Sequence, residues 1–200
     1  MFTSLAYGAK GVLYFCYWSP AGGFPFGKGG GVIYPRGDRT SFRRGAHYED
    51  AARINSVLRV FGTFLLTANS TGVYRVQPNG THDTGDTGTC RRGERDCPDG
   101  EQPNDDLTLC AMAATDVAVN SEWPGAGLLI GQFRLVDGRT ALLLHNQNFD
   151  FAIWPTVNLT NATEINPASG GQAVVLDDSP YMSGLQLSFG PAEARLFVLP

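Results

Sequence analysis

Hydrophobic and polar positions divide the chain into an apolar start, one helical stretch, a long polar segment and a final series of short apolar runs. Residues Gly11 to Trp18 read GVLYFCYW, a continuous apolar run bounded by turn-forming residues. Such a run is typical of a strand buried on both faces, as in a parallel barrel. The preceding residues, FTSLAYGAK, predict the tail of a helix that ends at Gly8.

A second helix is predicted over Tyr48 to Ala68. Its apolar positions recur at spacings of three or four, and they include Ala51, Ile54, Leu58, Phe61 and Leu65. Glu49 and Asp50 fall in the first turn, where the helix dipole favours negative charge. Helix-start electrostatics therefore explains these two carboxylates better than a catalytic role does.

Residues 77–106 form a polar insertion with eight Asp/Glu and three Arg residues. It contains almost nothing that could enter a core, which predicts an extended loop or linker.

The pattern then changes to short strands, which indicate a β-sandwich or a related all-β domain. Asp137-Gly138, between two of these strands, is a strong hairpin signal. The candidates are Leu107–Met112, Asp116–Asn120, Gly127–Val136, Thr140–Gln147, Thr156–Leu159, Gln172–Leu176, Leu185–Phe189 and Ala194–Leu199. The predicted domains are accordingly 1–76, 77–106 and 107–200.

Composition narrows the possible functions. The net charge is −4 and charged residues make up 17% of the chain, which argues against a nucleic-acid binder, since such proteins carry basic patches. No run of 18 apolar residues occurs, so no membrane span is predicted.

Two further features predict an oxidising, secreted or lumenal location. Glycosylation sequons occur at Asn69, Asn79, Asn158 and Asn161. Cys90 and Cys97 lie in the polar insertion, where a cysteine pair is typical of a disulfide, with Gly93 between them to help the turn. A secreted or lumenal location requires a signal peptide. The first residues lack a charged n-region and a cleavage site, so the signal peptide is expected upstream of Met1.

Of the other two cysteines, one is an alternative partner in the predicted disulfide and one is expected to stay reduced. Cys110, at the start of a predicted strand, is an alternative partner for either Cys90 or Cys97. Cys16 lies in an apolar run and is expected to be reduced and buried.

The segment SLAYGAKGVLYFCYW, Ser4 to Trp18, resembles the junction between helix 7 and strand 8 of barrel glycosidases, especially the β-galactosidases of glycoside hydrolase family 42. The predicted helix followed by STGVYRV (70–76) resembles their barrel-closing helix and exit segment. LQLSFGPAEARLFVL (185–199) resembles the closing strand pair of their C-terminal sandwich. The resemblance implies a fold class: the last β/α unit of a (β/α)8 TIM barrel, followed by an all-β sandwich. The acidic insertion with its cysteines departs from the pattern.

The resemblance also implies where a sugar would bind. In such enzymes the two catalytic carboxylates stand at the ends of strands 4 and 7, which would precede Met1, so no catalytic residue is assigned here. Tyr17 and Trp18 would end strand 8 at the mouth of the barrel, where active sites form. Apolar sugar faces pack on aromatic rings, which makes Trp18 the better candidate and Tyr17 the weaker one. Packing in a barrel core is the alternative role for both.

Other chemistry is not supported by the sequence. GGFPFGKG (22–29) matches phosphate-loop spacing, but the glycines that follow prevent the required helix. His47, His82 and His145 lack ligand spacing, and HDTGDTG lacks the rest of a calcium loop. No cofactor and no metal are predicted.

The sequence therefore predicts the C-terminal part of a carbohydrate-active, glycoside-hydrolase-like protein, with carbohydrate as its partner. This chain would supply one wall of the sugar site and a supporting β-sandwich. A non-catalytic carbohydrate-binding or structural domain is the alternative, and a barrel relative that has lost its carboxylates is a third possibility.

Overall fold

The computed structural model describes residues 1–14, 32–35, 42–45, 47–76, 82–83, 128–150, 152–157, 159, 161–178 and 185–200. Among these residues are two helices, α1 (Phe2–Ala6) and α2 (Tyr48–Leu65). The strands are β1 (Ile33–Pro35), β2 (Phe42–Arg44), β3 (Asn69–Val76), β4 (His82–Asp83), β5 (Leu128–Arg134), β6 (Thr140–Asn146), β7 (Thr156–Val157), β8 (Thr163–Ile165), β9 (Gln172–Val174), β10 (Leu185–Gln186) and β11 (Ala194–Leu199).

A seven-stranded sheet organises the described residues. Its strand order is β4-β3-β5-β6-β11-β8-β9, and every neighbouring pair is antiparallel. Two small antiparallel pairs, β1 with β2 and β7 with β10, lie outside this sheet. The sheet therefore combines β3, from the first predicted domain, with β5, from the last.

The hairpin between β5 and β6 forms where Asp137-Gly138 predicts it. Leu135 and Arg139 close the turn with a backbone hydrogen bond of 2.8 Å, and Gly138 adopts φ +86°. The loop thus has three residues, with glycine at the left-handed position, instead of the two that the dipeptide suggests.

Alternation along the central strands divides the core into two faces. The helical face carries Leu129, Phe133, Leu143, Leu196 and Val198, and α1 and α2 cover it with residues that include Leu5, Ala6, Phe61 and Leu65. The sandwich face carries Leu128, Ile130, Leu142, Leu144 and Phe197. Residues in or near β7 and β10 cover that face, including Ile153, Val157, Leu187 and Phe189. The result is a layer of helix, a large sheet and a small sheet.

α1 approaches the sheet very closely. A Cβ at Gly131 of β5 would lie 2.5 to 2.9 Å from backbone atoms of Ala6, so only glycine permits this contact. The helix then ends in a Schellman motif: the Gly8 N–H donates to Leu5 O and the Ala9 N–H to Ser4 O, with φ +87° at Gly8.

The predicted fold class is wrong. The described residues form a mostly β unit around one antiparallel sheet, and no α/β-barrel unit is evident among them. In particular, Gly11 to Tyr14 of the predicted barrel strand lie in no strand, and Leu13 is 93% exposed. A continuous apolar run indicates burial, but this one begins on the surface beside α2.

Other local predictions are confirmed in whole or in part. The second helix is confirmed, although it ends at Leu65. The strand at Ala194–Leu199 is confirmed in full, and those around β5, β6, β7, β9 and β10 are confirmed in shorter form. β8 was not predicted, because three residues in a Thr- and Asn-rich stretch carry no clear alternation. The predicted strands 107–112 and 116–120 lie outside the described residues, and the predicted linker contains the short strand β4.

Candidate functional site

Most residues that the sequence singled out for function lie outside the part of the chain that the structure describes. They are Tyr17, Trp18, Asn79, Asn158, Cys90 and Cys97, together with Cys16 and Cys110. The sugar contact, the two sequons and the disulfide therefore stay predictions.

Two predicted glycosylation sites are described, and both asparagines are exposed. Asn69 begins β3 opposite Arg134, and Asn161 occupies a turn before β8 with φ +60°. The Thr163 hydroxyl of the second sequon is within 3.3 Å of Gln172 Oε1 and 3.4 Å of Val198 O. Asn161 is thus presented on a turn while its sequon threonine is held by the sheet.

Glu49 and Asp50 lie at the start of α2, as the sequence predicts, and both are exposed. Glu49 Oε1 lies 2.6 Å from Arg44 Nη1, and Asp50 lies 3.7 Å from Arg53 and 3.9 Å from His47. These exposed pairs agree with a role in helix-start electrostatics.

A partly buried ionic cluster closes one end of the sandwich-face core. Arg195 of β11 is 13% exposed by its side chain, and it binds Glu164 of β8 through two hydrogen bonds of 2.7 Å. It also donates to Asp178 Oδ2 at 2.8 Å and to Ser188 O at 3.0 Å. Its guanidinium lies 5.4 and 5.6 Å from the ring centroids of Phe189 and Phe197. One side chain thus joins three segments over the core.

The charges of this cluster stabilise one another. Burial of Arg195 opposes its charge, but the hydrogen bonds that it donates to Glu164 and Asp178 outweigh that effect and raise its pKa. Burial tends to raise the pKa of Asp178, yet the Ser188 N–H and Arg195 lower it overall. A general acid requires the opposite, a carboxyl group whose pKa is raised toward the working pH. The cluster is therefore built to hold charge, and it is poorly suited to transferring a proton.

His145 lies under α1, on the helical face. It is 2% exposed, and its Nδ1 lies 3.1 Å from Glu193 O while its Nε2 lies 3.1 Å from Thr3 Oγ1. The ring of Phe2 contacts it at a centroid distance of 6.0 Å. Burial lowers the pKa of the imidazole, so the ring is neutral at pH 7.

A small cavity of about 200 Å³ lies between α2 and the segment after α1. Its walls are mainly apolar, including Leu5, Leu58 and Leu65, with Lys10 and Asn55 as polar members. Lys10 Nζ, however, donates to the carbonyls of Leu65 and Ala68, at and just after the last residue of α2. Lys10 therefore closes the C-terminus of α2, and its ammonium is already engaged.

Exposed aromatic rings occur next to the small sheet of the sandwich face. Trp154 is 48% exposed and Phe149 is 72% exposed. Ile153 and Pro155, the two neighbours of Trp154, are buried, and Ile153 pairs with Phe189 through two backbone hydrogen bonds of 2.9 Å. The backbone on both sides of the indole is therefore fixed.

Trp154 is not among the residues that the sequence pattern singled out for function. The alternation in AIWPTV, with apolar residues at 153, 155 and 157, could have placed Trp154 on the outer side of a short strand.

Two kinds of feature are absent from the described residues. No group of three or more His, Cys, Asp or Glu residues is placed there to hold a metal ion. None of the helices described is long and apolar enough to cross a membrane.

No protein-family model, curated protein or solved structure matches this chain.

Proposed function

We propose that this chain belongs to a carbohydrate-active protein and that its described β-rich unit is a non-catalytic carbohydrate-binding domain. The observation that carries the proposal is Trp154, a half-exposed indole on a rigid backbone. Tryptophan offers the largest flat surface for the apolar face of a sugar ring. The resemblance of residues 185–199 to the end of the C-terminal sandwich of family 42 glycosidases supports the same substrate class.

The neighbourhood of Trp154 also suits a sugar. Ile153 pairs with Phe189 and the Leu187 N–H donates to Pro155 O, so Ser188 is the residue across from Trp154. Ser188 is partly exposed, and its backbone N–H donates to Asp178, which fixes its position. An aromatic surface with a hydroxyl group opposite it combines stacking with hydrogen bonds to sugar hydroxyls.

A non-catalytic role is favoured by the use of the partly buried carboxylates. Glu164 and Asp178 are bound to Arg195, and Glu193 accepts the Gly190 N–H at 2.6 Å. Glycoside hydrolysis requires two carboxyl groups facing one glycosidic bond, one of them with a raised pKa. These three groups instead maintain the fold.

The test is binding of the purified 200-residue chain to a panel of soluble polysaccharides and oligosaccharides, measured by affinity electrophoresis and titration calorimetry. A single stacking surface predicts a Kd of about 1 mM, equivalent to roughly 4 kcal/mol. Trp154→Ala should weaken binding at least about tenfold, a loss of roughly 1.4 kcal/mol. Val136→Ala, on the exposed β5–β6 turn, is the matched control and should bind as the wild type does.

Three results would count against the proposal. Absence of binding to every carbohydrate in the panel would refute the function. Loss of binding in Trp18→Ala, with Trp154→Ala unchanged, would refute the site. Turnover of aryl glycosides that Glu49→Gln abolishes would refute the non-catalytic role.

A further inference from the structure

We propose that His145 is a proton-sensitive latch that holds α1 on the sheet when the imidazole is neutral and releases α1 on acidification. This inference concerns the stability of the N-terminal segment and is independent of carbohydrate binding.

The geometry makes His145 the polar link between α1 and the sheet. Its Nδ1 faces a carbonyl oxygen, Glu193 O, and must therefore carry the proton. In the neutral ring Nε2 is then an acceptor, which the Thr3 hydroxyl of α1 satisfies. The two hydrogen bonds fix one tautomer of His145 and join α1 to the residue just before β11.

A second proton would turn Nε2 into a donor and place a positive charge in this interface. The Thr3 hydroxyl would have to turn away to accept from the ring. The charge would also lie against the ring of Phe2, in an apolar cluster that includes Leu129 and Phe61. A buried cation without a carboxylate partner is costly, so protonation favours the state in which the ring meets water.

The charged groups around His145 do not compensate for that cost. β5 and β11 face it in register with Leu129 and Ala194. Glu193 offers its backbone carbonyl, while its carboxylate accepts the Gly190 N–H. The described charged residues of α2, which are Glu49, Asp50, Arg53 and Arg59, are all exposed.

α1 is also the element that can leave without breaking the sheet. It has five residues, it pairs with no strand, and helices this short are not stable in isolation. Its attachment is a contact of side chains and of the Ala6 backbone over Gly131. Release would uncover apolar residues of β5 and β6, while the ladders among β5, β6 and β11 would remain.

The sign of the pH dependence follows from the lowered pKa in the docked state. The released ring has an ordinary pKa near 6.5. Above that value both states are neutral and docking is at full strength. As the pH falls below it, the released state gains a proton first and docking weakens, until the pH passes the docked-state pKa and the loss levels off.

The experiment is hydrogen exchange of the full chain at pH 7.5 and pH 5, corrected for intrinsic exchange rates. We expect the opening constant of the Leu5, Tyr7, Gly8 and Ala9 amides to rise on the order of tenfold, because the released ring binds a proton more readily than the docked ring does. Amides in β6 and β11 should keep their protection. His145→Gln, whose amide can both donate and accept, should remove the pH dependence, whereas His47→Gln at the exposed start of α2 should retain it.

Two further measurements decide the matter if His145→Gln fails to fold. Thr3→Val should raise α1 opening already at pH 7.5. In the wild-type chain, the NMR titration of the His145 ring should share its midpoint with α1 release. Equal pH dependence in His145→Gln, unchanged opening in Thr3→Val, or loss of β6 protection together with α1 would each overturn the latch.

Discussion

The two faces of the central sheet are covered in different ways. The sandwich face is covered by residues in or near β7 and β10, which lie between β6 and β11 in the sequence, and Arg195 closes one end with an ionic cluster. The helical face is covered by α1 and α2, which precede β5 by 60 residues or more, and its buried polar link is the neutral His145. The cover of one face is thus stabilised by the ion pairs of Arg195, whereas the cover of the other depends on the neutral state of the His145 imidazole. This difference makes the two covers separable by experiment.

The largest effects are expected from shortening neighbouring leucines of β6 that point to opposite faces. Leu143 belongs to the helical face and Leu144 to the sandwich face, and both are fully buried. Each change to alanine should lower the free energy of unfolding by about 2–5 kcal/mol, through lost transfer energy and a residual cavity. Urea denaturation measures the size of the effect.

Hydrogen exchange then sharpens the comparison. Leu143→Ala should increase exchange in α1 and α2 more than in residues 185–189, and Leu144→Ala should do the reverse. If both variants raise exchange equally in both covers, the faces are not independent units.

The next largest effect is expected from breaking the ionic cluster with Arg195→Met. This change keeps most of the apolar stem but leaves Glu164 and Asp178 without their cation. Removing one partner of a partly buried ion pair should cost about 3 kcal/mol in unfolding free energy. The matched control is Arg139→Met, whose partner Asp137 lies in an exposed turn, and its loss should stay below about 1 kcal/mol.

The same cluster predicts an acid response. Because the pKa of Asp178 is lowered in the folded state, its contribution is present at neutral pH and is lost as the pH falls below about 4, through the folded-state pKa. Arg195→Met should reduce that acid-dependent loss. Identical stability curves between pH 5 and pH 2 for variant and wild type would contradict the assigned role.

A smaller effect is expected at the contact between α1 and the sheet. Gly131→Ala would place a methyl group 2.5 to 2.9 Å from the Ala6 backbone, so α1 must shift outward at a cost of about 1–3 kcal/mol. Gly62→Ala is the control, because nothing lies within 4 Å of its Cβ position in α2. It should instead stabilise the protein by about 0.5–1 kcal/mol. Thermal unfolding of the two variants should therefore shift in opposite directions; a shift in the same direction would show that α1 has room to adjust.

Much of the local structure was predictable from the sequence because it depends on neighbouring residues. The spacing of apolar residues predicts α2, Asp137-Gly138 predicts the β5–β6 turn, and ARLFVL predicts β11. The candidate site was less predictable. Trp154 attracts attention only when the burial of both its neighbours is known, and the polar partners of His145 lie 142 residues before it and 48 after it.

What the sequence determines by itself is that β5 and β6 are buried on both sides, since LLIGQF and ALLLHN are too apolar for either face to meet water. It does not determine what covers each face, because a two-sided apolar strand fits a parallel barrel as well as an antiparallel sheet under helices. The tertiary structure makes that choice through contacts distant in sequence. β3 pairs with β5 across more than 50 intervening residues, and the missing side chain of Gly131 lets α1 reach the sheet. Apolar content indicates that a segment can be buried, as β5 and β6 are, whereas only long-range packing decides whether it is buried and against which partner.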